Sequence, residues 1–380
     1  MALLSLKVDD SCFVVSFFEG FIMLDYFKKL AGDYHLSLEN VLSIALNRYG
    51  VLTSDVDDNR LRFNLELLDS NKKTYFAVCV NTYPASPFKL MNSTLYLEDN
   101  PVGKVSDIEK DTCLSTYFRN DKKVITFNSN SRSKCVGCKF CGTYSLTDED
   151  VFEFNTEKNI YDYFSKLLET NNIESMASIE NVTVCTGCFE SEDKLIEHLL
   201  LLNSSFKKMN FLGSINYIGS QLRDYDKIEM LSEEINDFGI YLTLEKFLDR
   251  EKFMRPEKAS LSIENAKDLL TYCSSLGITT TFLYILGLEN LDTVKYYFNY
   301  LKDSINKFPI VQVFQNYTPI QESYRCEEGK DVEYYIKARK IIDDIFEKQN
   351  MNPKIWECFR SLYFDKNDKE CGKSRCRKVN

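Results

Sequence analysis

Three thiols stand two residues apart in Lys134-Cys135-Val136-Gly137-Cys138-Lys139-Phe140-Cys141-Gly142. Thiols packed that tightly on a glycine-bearing loop can close around a metal. A structural zinc or a complete iron–sulfur cluster takes four protein ligands, whereas a centre that performs chemistry keeps one position open. Cys113, Cys185 and Cys188 are available to complete the set. A zinc knuckle or a closed structural cluster therefore stands beside the open site at this point. The chain carries 13 cysteines, an odd number that suits a disulfide framework poorly. Clustered cysteines in a reducing compartment are more often ligands. Only His35 and His198 supply imidazole, and both read as structural.

Composition bounds what surrounds this loop. The 380 residues exceed one small core, so a large domain plus an accessory one is expected. A net charge of −10 disfavours a dedicated nucleic-acid binder, which needs clustered Lys and Arg. No run of eighteen apolar residues marks a membrane span. Phe13 to Phe18 is apolar, but Asp9, Asp10 and Glu19 flank it, so it does not read as a signal peptide. The expected compartment is the cytoplasm.

The elements that must position the cysteines read as follows. Residues 1–120 form a small mixed α/β accessory domain, with helices over 21–30 and 38–47 and strands over 75–80 and 93–97. Asp99 to Gly103 reads as a turn between strands. From 121 to 350 the pattern becomes regular. Apolar strands at 124–127, 182–184, within 211–218, 240–244, 279–285 and 310–314 alternate with amphipathic helices. Gly277 stops one of those helices as a C′ residue should. Six strand–helix units imply a parallel sheet with right-handed crossovers. They are too few to close an eight-stranded barrel and suit a partial (β/α)6 barrel of TIM type. Its functional face lies at the carboxyl ends of the strands, where the cysteine loop falls. Residues 351–380 form a tail containing Cys358, Cys371 and Cys376.

A strand, three close cysteines with Phe140 before the last, and βα units: over residues 121–350 this resembles the radical S-adenosylmethionine family. The segments at strands five and six are similar to its biotin-synthase-like and maturase-like branch. The family's usual spacing puts three residues between the first two cysteines and two between the last two; here both gaps are two. The resemblance implies that Cys135, Cys138 and Cys141 hold a [4Fe–4S] cluster whose fourth iron takes S-adenosyl-L-methionine. Reductive cleavage then yields a 5′-deoxyadenosyl radical that abstracts hydrogen from a small-molecule or peptide substrate.

The resemblance also implies a cofactor cradle. Thr186, Gly187 and Glu190 follow strand two, where the family contacts the amino group of S-adenosylmethionine. Cys188 replaces the second glycine expected there, and a plain βα turn with buried thiols, or a second cluster, is the alternative. Glu245 ends strand four and can take ribose hydroxyls or the cofactor ammonium. Arg255 and Lys258 can pair with its carboxylate, or belong to a solvated charge run. Ile285 and Gly287 match the adenine-contacting strand, although Leu283 replaces its earlier glycine and Glu289 comes one position early. Gln315, Asn316 and Tyr317 are candidates for the substrate mouth. Cys326, Cys358, Cys371 and Cys376 are candidates for an auxiliary metal site, while the Lys-rich ending from Lys366 on reads equally as a solvated or frayed terminus. A reducing partner such as flavodoxin or ferredoxin is implied, and no membrane partner. A zinc-stabilised scaffold and an electron-transfer protein without S-adenosylmethionine chemistry are the alternatives to the enzyme.

Overall fold

Helices α1 (Ile22–Asp33) and α2 (Leu38–Tyr49) pack on an antiparallel sheet at the amino-terminal end of the chain. The computed structural model describes residues 22–56, 60–68, 73–82, 85–110, 116–129, 137–142, 153–354, 357 and 377–378. Ser37 caps α2 by accepting from the Asn40 amide at 3.2 Å. The sheet comprises β1 (Arg60–Leu67), β2 (Lys73–Cys79), β3 (Phe88–Met91), β4 (Thr94–Leu97) and β5 (Asn100–Lys110), in the order β2-β1-β5-β4-β3. The turn expected over 99–103 is confined to Glu98 and Asp99. Glu98 adopts φ 57, and β5 already runs from Asn100, with Pro101 paired to Tyr96. A tight left-handed turn thus replaces the longer loop that Pro and Gly suggested.

The second sheet carries the predicted repeat. Its antiparallel margin is β6 (Tyr117–Arg119), which pairs with β7 (Val124–Asn128). The units then run α3 (Glu157–Thr170), β8 (Asn181–Cys185), α4 (Glu192–Lys208), β9 (Ser214–Gly219), α5 (Tyr225–Glu234) and β10 (Gly239–Glu245). Two short helices, α6 (Arg250–Phe253) and α7 (Pro256–Ala259), precede α8 (Ile263–Ser275). After β11 (Thr279–Leu286) come α9 (Leu291–Leu301), β12 (Ile310–Val313) and α10 (Val332–Glu347). Strands β7 to β12 are parallel and lie in chain order; the two-residue β13 (Arg377–Lys378) pairs with β6. The result is the partial (β/α)6 barrel, open between β12 and the β7 side, with an accessory α/β unit.

Alternation along the strands explains the arrangement. Phe127, Val184, Leu242, Phe282 and Val311 lie in the core shared with the helices. Their neighbours at i±1 face the concave side. Gly277, at φ 79, closes α8 with a Schellman pair, the Ile278 amide to Cys273 O and the Gly277 amide to Ser274 O, each 3.1 Å. The accessory unit is bound to the end of β12. Gln315 Nε2 donates to Asn47 Oδ1 at 2.7 Å and to Ala77 O at 3.0 Å. Arg48 meets Glu322 at 2.5 Å, and Tyr26 donates to Asp331 at 2.6 Å. Among the described residues, no helix is long and apolar enough to cross a membrane.

Candidate metal and cofactor site

The cysteine loop is held from both sides. The Lys139 amide donates to Phe253 O at the end of α6, 2.8 Å, and Lys139 O accepts from Gln321 Nε2, 2.6 Å. Gln321 Oε1 in turn accepts from the Tyr317 and Thr318 amides, at 2.5 and 3.1 Å. The Cys141 amide closes a turn onto Cys138 O at 3.0 Å. Gly142 lies so close to the Tyr317 ring that a Cβ there would overlap it. Gly137, at φ 122, passes within contact of Arg255. Each glycine of the motif is therefore needed by its neighbour or its backbone angle.

Cys138 and Phe140 are buried in a small cluster with Met254, Leu288 and Phe314; Cys141 and Ile285 pack against it. Burial is the main cause that pushes the Cys138 thiol up to about 11, against the pull of Lys258. Glu245 adds to the upward shift, while the Arg255 amide stabilises the thiolate. A thiol in such surroundings stays protonated until a cation displaces the proton. Cys135 lies outside the described residues. Among those described, no three His, Cys, Asp or Glu side chains converge on a point. Two thiols on one turn, backed by apolar side chains and approached by Lys258, have the chemistry of thiolate ligands to a metal cluster.

Opposite the loop stands an ion pair. Glu245 has φ 62 and sits at a register shift between β10 and β11. A bulge and a left-handed residue at a strand end re-aim a side chain. Glu245 accepts from Lys258 at 2.5 Å, with both side chains largely buried. Arg250 fixes this corner. Its Nη1 donates to Leu244 O and Lys246 O, each 2.6 Å, and its Nη2 to Lys258 O at 3.1 Å. Arg255 precedes α7 and pairs with Glu257 at 2.8 Å. Arg250 went unrecognised in the sequence because nothing in its spacing separates it from the surrounding charges.

The other candidates divide. Thr186 hydrogen-bonds the Tyr217 hydroxyl, which also feels Cys188 and Lys258. Gly187 is buried beside it. Gln221 clamps this loop through both polar groups of Phe189, at 2.7 and 2.8 Å. Glu190 is exposed and stands outside the group of converging side chains. Gly287, at φ 108, abuts Tyr335 and Arg325 rather than the cysteine loop. Glu289 is buried and accepts from the Phe247 and Leu248 amides, the latter at 2.6 Å, and from Tyr284 at 2.7 Å. Gln315 and Asn316 are spent on joints: Asn316 bonds Glu322 at 2.6 Å and Arg325 at 3.0 Å. Of the three mouth candidates, Tyr317 is the one that touches the cysteine loop among the described residues. Cys326 accepts from the Gly329 amide at 3.3 Å and donates to Glu289 O at 3.2 Å. Cys113, Cys358, Cys371 and Cys376 lie outside the described residues. His198 is buried in α4 against Phe189.

No protein-family model and no curated protein matches the chain. Among solved structures, one of methylornithine synthase matches with a TM-score of 0.41 and 16% identity, over 57% of this chain. The match spans 62% of that chain, less than two thirds of its length.

Proposed function

We propose that the chain is a radical S-adenosylmethionine enzyme in which Cys135, Cys138 and Cys141 hold a [4Fe–4S] cluster. The observation that carries this reading is the juxtaposition of Cys138 and Cys141 with the Glu245–Lys258 pair at the carboxyl ends of parallel strands. Adjacent opposite charges suit a zwitterion. Glu245 would take the ammonium and Lys258, with Arg255, the carboxylate of S-adenosylmethionine. Thr186 and Gly187 lie on the neighbouring loop and would flank the same head group. Ile285 offers apolar surface to the adenine, and Phe140 shields the thiols from water. Glu190 and Gly287 belong to the family pattern but contribute through loop and strand conformation.

When bound, cluster and cofactor would supply reductive carbon–sulfur cleavage and a carbon radical that takes hydrogen from the substrate. The chain's own residues bind, orient and exclude water. Flavodoxin or ferredoxin fits as electron donor, and the cytoplasm as compartment. Residues 1–120 would serve as the accessory unit, 121–350 as the barrel and 351–380 as a tail.

Anaerobic reconstitution with iron and sulfide tests the proposal. Wild-type protein is expected to bind about four irons per chain, as a [4Fe–4S] cluster requires, and to release 5′-deoxyadenosine under reduction. Cys138→Ala and Cys141→Ala are expected to lose both. Stoichiometric zinc in place of iron, or cofactor cleavage unchanged in the cysteine variants, would overturn it.

A further inference from the structure

The corner opposite the cysteine loop holds more positive charge than negative. Arg250 and Lys246 are each 5% exposed there, and Lys258 is largely buried. Against these three cations stand two carboxylates, Glu245 beside Lys258 at 2.5 Å and Glu289 beside Lys246 at 3.4 Å. Each carboxylate is matched to a lysine, so the surplus falls on Arg250. At the rim, Arg255 and Glu257 cancel each other at 2.8 Å.

Every acceptor of the Arg250 guanidinium is a backbone carbonyl: Leu244 O and Lys246 O at 2.6 Å, and Lys258 O at 3.1 Å. Among the described residues no carboxylate lies within ion-pair distance of it, and its buried Nε–H has no partner. Carbonyl dipoles soften a buried charge without neutralising it. A guanidinium does not escape the cost by losing its proton. A neutral amide can also donate to carbonyls, so these contacts alone do not call for a cation.

The surroundings direct this charge at the loop. Arg250 opens α6, and the last carbonyl of that helix, Phe253 O, holds the Lys139 amide at 2.8 Å. Burial is the main cause that lowers the Arg250 pKa. Glu245 and Glu289 oppose it, the nearby Arg223 adds to it, and Cys138 opposes it. Arg250 and Cys138 are therefore within electrostatic reach of each other. S-adenosylmethionine does not supply the missing negative charge, because its ammonium and carboxylate cancel and its sulfonium leaves it cationic. A cluster held by thiolates is anionic, and its net charge and surroundings set its potential.

We propose that Arg250 is the buried counter-cation of the cluster held by the cysteine loop, a positioning residue that raises the cluster's reduction potential. The inference rests on the proposed function. One electron enters from the low-potential donor with no bond made or broken, and the guanidinium stabilises the negative charge it adds.

A redox titration of the full, anaerobically reconstituted chain, followed by electron paramagnetic resonance without S-adenosylmethionine, tests it. In Arg250→Gln the ratio of reduced to oxidised cluster at the wild-type midpoint should fall about tenfold, a midpoint lower by about 59 mV for one electron. Arg250→Lys keeps the charge but not the three-carbonyl clamp, and should hold the wild-type midpoint. Lys252→Gln removes an exposed cation from the same short helix and should also leave it in place. A wild-type midpoint in Arg250→Gln, or a fall as large in Lys252→Gln, overturns the proposal. So does an equal fall in Arg250→Lys, which would make the residue a clamp rather than a charge. If Arg250→Gln does not fold or load iron, Arg250→Lys decides alone, a held midpoint supporting the proposal and a lowered one overturning it. Wild-type protein that takes up no cluster overturns both readings; a loaded protein indifferent to Arg250 overturns this one and leaves the proposed function standing.

Discussion

Gly142 shows how much a single residue settles at this site. It follows the last cysteine and lies flat against the ring of Tyr317, whose hydroxyl takes a hydrogen bond from Arg60 at 2.7 Å. Adding one methyl group forces the ring or the loop to move. Overpacking of this kind costs about 1–3 kcal/mol, and the loop is where that cost is spent. Gly142→Ala is therefore expected to reduce retained iron after anaerobic desalting by roughly tenfold, as about 1.4 kcal/mol implies. Tyr317→Ala in the same chain should restore most of it by removing the obstacle. Iron retention equal to wild type in Gly142→Ala, or no rescue in the double variant, would show that the contact does not seat the loop.

Among the elements, those with a strong period were legible. Each of the six parallel strands and the long helices follows from apolar spacing, because burial on one face leaves that pattern. The strands β1, β3 and β6 were not: β1 alternates arginine and asparagine with its apolar residues, and β3 and β6 are four and three residues long. At the site, the cysteines and Glu245 were visible as residue types. That Gln315, Asn316 and Glu289 serve joints was not, because their partners lie 5 to 268 positions away in the chain. Helix α4 illustrates the same limit. The sequence marks His198 only as structural; in the fold, burial lowers its pKa from 6.5 to about 4, and Nε2 has no partner among the described residues. The unfolded chain thus takes up a proton near pH 6.5 that the folded chain refuses until about pH 4. Stability is unaffected above that window and falls as the pH drops through it, by about 3 kcal/mol in total. Urea midpoints measured from pH 7.5 to 4 should fall for the wild type and flatten for His198→Leu. Parallel profiles would exclude His198 as the cause.

At the scale of the whole molecule, strand β1 reaches both margins of the open side of the barrel. Arg60 and Arg62 project from the same face of β1, two residues apart. Arg60 bonds Tyr317 beyond β12, and Arg62 stacks on Tyr117 of β6 with its guanidinium 3.8 Å from the ring centre. Those aromatic rings belong to the two margins that the half-barrel leaves apart. The accessory sheet thereby couples β6 to the segment that follows β12; β6 and β12 make no ladder with each other. Cation–π contacts in such desolvated positions contribute on the order of 1–2 kcal/mol each. Replacing both arginines by methionine keeps the apolar stem and removes the coupling. Hydrogen exchange followed by mass spectrometry should then quicken about tenfold or more at both margins, residues 117–119 and 316–318, while β8 to β11 hold their protection, as loss of a local contact predicts. Faster exchange at only one margin would mean that β1 leans on the barrel without bridging it. Uniform acceleration through the sheet would mean that the arginines hold the entire fold rather than its seam.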